Sequence, residues 1–272
     1  MFKNSKTIVI NSANRTTGSN ENFTYAYNKD MLESFTHVVL LQASIPLSYY
    51  LIQDSNNTFT LSENGSSVVI TVSPGNYFRS SFLTHIKSLL NTNSPNGWTY
   101  DMTIPNESKE ADTGKYTYSV SGNGGLQPSI IVSTNMYEQF GFDKNTTNTF
   151  SGDTLISTNC INFINKQTLL IHSNLVDTKS NNNKNILQEI YISNYLNYSC
   201  GVFQCPDVMA YSKSIINNNG NSISITLTNE DGTILNLNGR NCLYTIMLFN
   251  KHEVFDSVQS YLKYNTANSL GL

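Results

Sequence analysis

At 272 residues the chain is long enough for one large core or two modest ones, and all-β sandwiches routinely occupy that length. Charged residues make up 13% of it, about half the usual share of roughly 25%, while Asn, Ser and Thr supply about a third, so the polar surface is mostly uncharged. The 39% hydrophobic content, with 16 Tyr and 13 Phe, argues against global disorder, and a net charge of −3 gives no electrostatic footprint for nucleic acid or an anionic membrane.

Short strands bounded by Asn, Gly or Ser clusters dominate the chain. Residues 7–10 are β-branched and read as a first strand. Residues 11–22 lack an apolar period, and 1–22 as a whole reads as an extended N-terminal arm. The apolar run 35–47 has the pattern of a strand buried on both faces. Strands at 59–61 and 68–72 flank Asn64-Gly65, a pair suited to the positive φ angles of a tight hairpin. After Pro74-Gly75-Asn76 the segment 77–90 places Phe78, Phe82, Leu83, Ile86, Leu89 and Leu90 at helical spacing.

Residues 91–128 are Asn-, Gly- and Pro-rich around a strand at Trp98-Thr99-Tyr100 and read as an elaboration projecting from the main domain. Strands follow at 116–120, 130–133 and 167–172, with a helical turn at 136–140. The stretch 186–196 suits a helix or a buried strand equally. Ile223, Ile225 and Leu227 alternate with Ser224, Thr226 and Thr228, then a turn at Asn229-Glu230-Asp231-Gly232 leads to strands at 234–237 and 244–250. Val254, Phe255, Val258, Tyr261 and Leu262 suggest a C-terminal helix over 253–262. Many short strands and one good helix argue an all-β sandwich.

The chemistry is sparse. His37, His85, His172 and His252 are scattered and read as structural. Cys160, Cys200, Cys205 and Cys242 match no zinc or redox spacing and read as free, partly buried thiols, with a Cys200–Cys205 disulfide as the alternative. Glu230-Asp231-Gly232 supplies too few oxygens for calcium and reads as a hairpin turn. No nucleophile elbow, phosphate loop or dinucleotide fingerprint occurs. No secretory signal opens the sequence, its Asn-X-Ser/Thr sites are therefore expected to be silent, and the longest apolar region, 38–52, contains Gln42, Ser44, Pro46 and Ser48, too polar for a transmembrane segment. No enzyme activity, cofactor, metal or sequence-specific nucleic acid is expected.

One block goes further. Ala43-Ser44-Ile45-Pro46-Leu47-Ser48-Tyr49-Tyr50-Leu51-Ile52 leads to Asn56-Asn57-Thr58-Phe59, then to the hairpin, to Ile70-Thr71-Val72-Ser73-Pro74-Gly75-Asn76-Tyr77 and to the amphipathic helix. This order resembles the minor capsid, or penton, proteins of virophages, polinton-like viruses and related large DNA viruses. Met136-Tyr137-Glu138-Gln139-Phe140-Gly141-Phe142 and the hairpin over 223–239 resemble further elements of that family. The resemblance covers most of 35–250 through short motifs separated by divergent loops. It implies a single jelly-roll β-sandwich over 23–272, with the 78–90 helix as a connection packed on it and the N-terminal arm running under a shell.

It also implies a homopentamer at the five-fold vertices of an icosahedral capsid, beside the major capsid protein, in a virion assembled in the host cytoplasm. The family implies no catalytic residues. A second reading is a carbohydrate- or receptor-binding jelly roll on a virion surface. It would use Tyr side chains and Trp98 to stack on a glycan of the host or of a giant virus, with contacts in 91–128.

Overall fold

The computed structural model of the chain describes residues 4–27, 35–104, 112–164, 168–178, 184–192, 199–216 and 221–251. The chain opens with β1 (Ser5–Asn11), β2 (Thr17–Gly18), β3 (Asn22–Ala26) and β4 (His37–Pro46). It continues through β5 (Thr58–Glu63), β6 (Ser66–Thr71), α1 (Arg79–Asn93), β7 (Thr99–Thr103), β8 (Thr117–Ser121), β9 (Ser129–Ile131), α2 (Tyr137–Phe140), β10 (Thr147–Thr149) and β11 (Thr154–Ile156). Last come β12 (Thr168–Ser173), β13 (Ile186–Tyr191), β14 (Cys200–Gln204), α3 (Val208–Tyr211), β15 (Lys213–Ser214), β16 (Ser222–Asn229) and β17 (Leu243–Phe249).

Two units result. One comprises Met1–Tyr49 with Lys166–Leu272, the other Tyr50–Asn165, and each has its own hydrophobic core with no residue in common. In the first unit the sheet orders are β1-β17-β4-β14 and β13-β12-β16-β3-β2. Setting aside the two-residue strands, eight strands remain, and in chain order the first pairs with the eighth, the second with the seventh, the third with the sixth and the fourth with the fifth, all antiparallel. That is a long hairpin ribbon rolled into two facing sheets, the jelly roll.

Side-chain alternation makes the ribbon a sandwich. Ile8 and Ile10 of β1, Tyr244, Ile246 and Leu248 of β17, and Ile223, Ile225 and Leu227 of β16 all join one core. Strand β4 keeps Val38 and Leu40, then Ala43 and Ile45, in that core, although the two pairs differ in parity. A bulge resolves this: Thr245 pairs with Gln42 and Ile246 with Leu40, so the extra Leu41 resets the alternation. On the outer face Val39, Met247 and Phe249 form a small cluster under Val208 and Met209 of α3. The double-sided burial expected for β4 thus holds at its start and comes from α3, not from another sheet.

The second unit holds a sheet of order β10-β9-β5-β6 and another of order β11-β8-β7. Asn64 and Gly65 turn the β5–β6 hairpin with φ of 42° and 86°. Helix α1 buries Phe82, Ile86 and Leu90. It extends past the expected Leu90 because Asn91 mimics a strand neighbour, donating to the Tyr100 carbonyl and accepting from the Tyr100 N–H, both at 2.8 Å.

Several expectations change. Residues 5–11 are the first strand of the jelly roll, so 1–22 is not an arm: Ile8 and Ile10 are needed to cover the core beside β17. The elaboration is the whole of Tyr50–Asn165, wider than 91–128, and it lies between β4 and β12 along the chain. Helix α1 buries its apolar face in that second core, not on the jelly roll. The ambiguous 186–196 stretch is strand β13 as far as Tyr191. Residues 234–237 pair only at Ile234, after which Leu235 and Leu237 turn into the jelly-roll core instead of continuing a ladder. The 253–262 helix lies outside the described residues.

Candidate functional site

The flagged histidines do not converge. The ring of His37 contacts the Thr36 hydroxyl through Nδ1 at 2.9 Å and packs on Phe249 with centroids 5.8 Å apart. His172 donates from Nδ1 to the Lys184 carbonyl at 2.8 Å, and its Nε2 lies 2.8 Å from the Thr228 hydroxyl, which itself donates to the Asn229 carbonyl at 2.9 Å. His85 stacks on Tyr77 at 5.7 Å, and its buried Nε2 has no hydrogen-bond partner among the described residues. His252 lies outside the described residues. Among the described residues no three His, Cys, Asp or Glu side chains could hold a metal, and no helix is long and apolar enough to cross a membrane. Asn229 Oδ1 accepts from the N–H groups of Asp231 and Thr233, both at 3.0 Å, and Gly232 has φ 79°, so Glu230-Asp231-Gly232 is a turn.

All four cysteines are free; Cys200 is the first residue of β14 and Cys205 lies just past its other end, so the two do not pair. Burial pushes the Cys242 thiol up to about 12, and burial likewise pushes the Tyr49 phenol up to about 12. Both groups bind their protons more tightly folded than unfolded. Their contribution is therefore complete below about pH 9, the ordinary thiol range, and is lost as pH rises through 12. Urea midpoints measured from pH 7 to 11 should stay level to about pH 9 and then fall.

Trp98 is 7% exposed within the second core, and its N–H on the backbone donates to Ser94 Oγ at 2.7 Å. Buried there it cannot stack on a sugar, so the carbohydrate-binding reading loses its Trp98 contact.

The most elaborate polar arrangement is one that sequence motifs do not reveal. Glu63 is fully buried, accepting from Ser94 Oγ at 2.8 and 3.0 Å, from the Asn96 N–H at 2.8 Å and from the Tyr100 hydroxyl at 2.8 Å. Burial and the neighbouring carboxylate raise the Tyr100 phenol well above its ordinary value. The signal was present in the alternation Phe59, Leu61, Glu63, all inward on β5. The carboxylate holds the α1–β7 connection onto the hairpin. Glu63→Gln leaves one acceptor oxygen and presents an amide to these donors, so it should cost about 2 kcal/mol, read as a lower urea midpoint with circular dichroism unchanged before the transition.

Broad uncharged surfaces are the other feature. Where α3 does not cover the β1-β17-β4-β14 sheet, its outer face carries the row Val202, Ser44 and Leu243 and, beside it, Gln204, Gln42, Thr245 and Val9. Val9, Val202 and Leu243 are 57%, 66% and 41% exposed. In the second unit the outward residues of β5 and β6 are Thr58, Thr60, Ser62, Ser67, Val69 and Thr71, with Ser129 and Ile131 of β9 and Thr147 and Thr149 of β10 beside them. Neither face carries a charge, so a partner could cover either without desolvating an ion.

No protein-family model matches the chain, and no curated protein matches it. Among solved structures it is similar to the penton protein of mavirus, with 10% sequence identity over 91% of this chain and 99% of that one, at a TM-score of 0.44. The jelly-roll assignment stands on the strand pairing of this chain alone.

Proposed function

We propose that this chain is a structural capsid protein of the penton type, five copies of which close a ring at an icosahedral five-fold vertex beside the major capsid protein. The observation that carries the reading is the complete eight-strand jelly-roll order, first with eighth through fourth with fifth. Because a fold hosts many functions, two further features support the choice: the motif block over 43–90 that resembles pentons, and outer faces built from Ser, Thr, Gln and Val without charge. Such faces suit repeated contacts between identical copies, where like charges would repel. The protein then acts in the virion, assembled in the host cytoplasm, and performs no catalysis.

The test is the assembly state of purified protein. Light scattering should give five times the 30.4 kDa protomer mass, and electron micrographs should show five-fold rings. A species that stays monomeric at all concentrations and never occupies a vertex would overturn the proposal.

A further inference from the structure

We propose that Asn64 is a self-modification site, where the backbone nitrogen of Gly65 attacks the Asn64 side chain and turns its amide into a carboxylate without an enzyme. The sequence holds Asn-Gly pairs at Asn64, Asn96, Asn123, Asn219 and Asn238. A following glycine favours this chemistry because no side chain shields its nitrogen from the preceding residue. The Asn219 pair lies outside the described residues, and the structure separates the other four.

Three of the amides are held. Asn96 donates from its side chain to the Glu63 carbonyl at 3.1 Å, and the Gly97 N–H is itself engaged by the Ser94 carbonyl at 3.3 Å. Asn123 is buried and donates to the Leu126 carbonyl at 2.8 Å and to the Asp153 carboxylate at 3.0 Å. Asn238 donates to the Ser48 carbonyl at 2.5 Å. Each must break a hydrogen bond before its side-chain carbon can turn to the next nitrogen. Asn64 is exposed at the tip of the β5–β6 hairpin, and its amide makes no hydrogen bond among the described residues. The Gly65 N–H donates to nothing there either, since the ladder of a two-residue hairpin closes on the flanking pair, Glu63 and Ser66. A Cβ added at Gly65 would meet no atom within 4 Å, so the tip is open on that side.

In the first step the Gly65 nitrogen bonds to Asn64 Cγ, the Cγ–Nδ2 bond breaks, and the Gly65 proton leaves with the amide nitrogen as ammonia. The product is a cyclic succinimide. Water then opens the ring: cleavage at Cγ gives an aspartyl residue, and cleavage at the main-chain carbonyl gives an isoaspartyl link that carries the backbone through the side chain. One water is consumed and one ammonia released, with no oxidant or reductant. Either product sets a negative charge at one end of the uncharged β5–β6 face, beside the buried Glu63 carboxylate. The isoaspartyl link also lengthens a two-residue turn whose length sets the register of the hairpin. The inference does not depend on the five-fold reading.

The full-length protein is incubated in mildly alkaline buffer, digested at intervals and read by tandem mass spectrometry, with an isoaspartyl-specific methyltransferase label for the rearranged product. In the folded protein Asn64 should convert about tenfold faster than Asn96, Asn123 and Asn238, the factor that one net hydrogen bond adds to a barrier. In guanidinium chloride strong enough to unfold the chain the four rates should converge, because every pair then has the same glycine and no held amide. Asn64→Gln, whose longer side chain must close a larger ring, should lose the conversion at this position and leave the slow rates elsewhere unchanged. Equal rates at the four sites in the folded protein, the same preference for Asn64 after unfolding, or undiminished conversion in Asn64→Gln would each overturn the proposal. The first two comparisons use the parent protein, so they decide the matter even if the variant folds poorly.

Discussion

Deletion of residues 1–11 is expected to abolish the folded jelly roll, giving insoluble protein or a chain without a cooperative urea transition. An arm could be removed with little effect, but this segment is a strand in full register with β17, from Ser5 opposite Phe249 to Asn11 opposite Leu243. Its removal uncovers the core at Ile8 and Ile10, worth about 2 to 3 kcal/mol of burial each, and leaves β17 as an unpaired apolar edge prone to association. Those losses compare with a total stability of about 5 to 15 kcal/mol for a domain. A graded version is Ile10→Ala, which should cost about 2 to 4 kcal/mol. A truncated protein with the parent's urea midpoint would show that the strand contributes nothing to the fold.

Replacing Phe82 by Ala should destabilise the second unit by about 3 to 5 kcal/mol while leaving the jelly roll protected. The ring is fully buried and is met edge-on by Tyr77, Phe140 and Phe163 at centroid distances of 5.8, 5.3 and 5.2 Å, with Tyr116 stacked at 6.3 Å. Aromatic contacts of this kind add to the loss from the cavity. Because the two cores share no residue, hydrogen exchange should speed up in β5, β7 and β8 of the variant and stay near parental rates in β16 and β17. Equal acceleration in both sets of strands would mean that the chain unfolds as one cooperative body.

Much of the local architecture was legible from residue order. The alternation in β16, the Asn64-Gly65 turn and the spacing of α1 each depend on neighbours within a few positions, where side-chain period and backbone sterics act directly. Residues 186–191 were ambiguous because a short apolar run fits either period, and pairing with β12 decides for strand. The candidate sites were less legible. Glu63 could be placed on the inward face, yet its donors come from Ser94, Asn96 and Tyr100, whose proximity depends on how α1 and β7 return to the hairpin.

The missing charge and the wealth of Ser, Thr and Asn were properties of the sequence alone, as were the strand and turn signals and the all-β class. Only the tertiary structure decided that the length divides into two cores, that residues 5–11 close a sheet against residues 243–249, and that uncharged residues form continuous outer faces. The reason is physical. Alternation determines which way a side chain points, but pairing between strands more than two hundred positions apart is set by the burial that all eight ribbon strands achieve together.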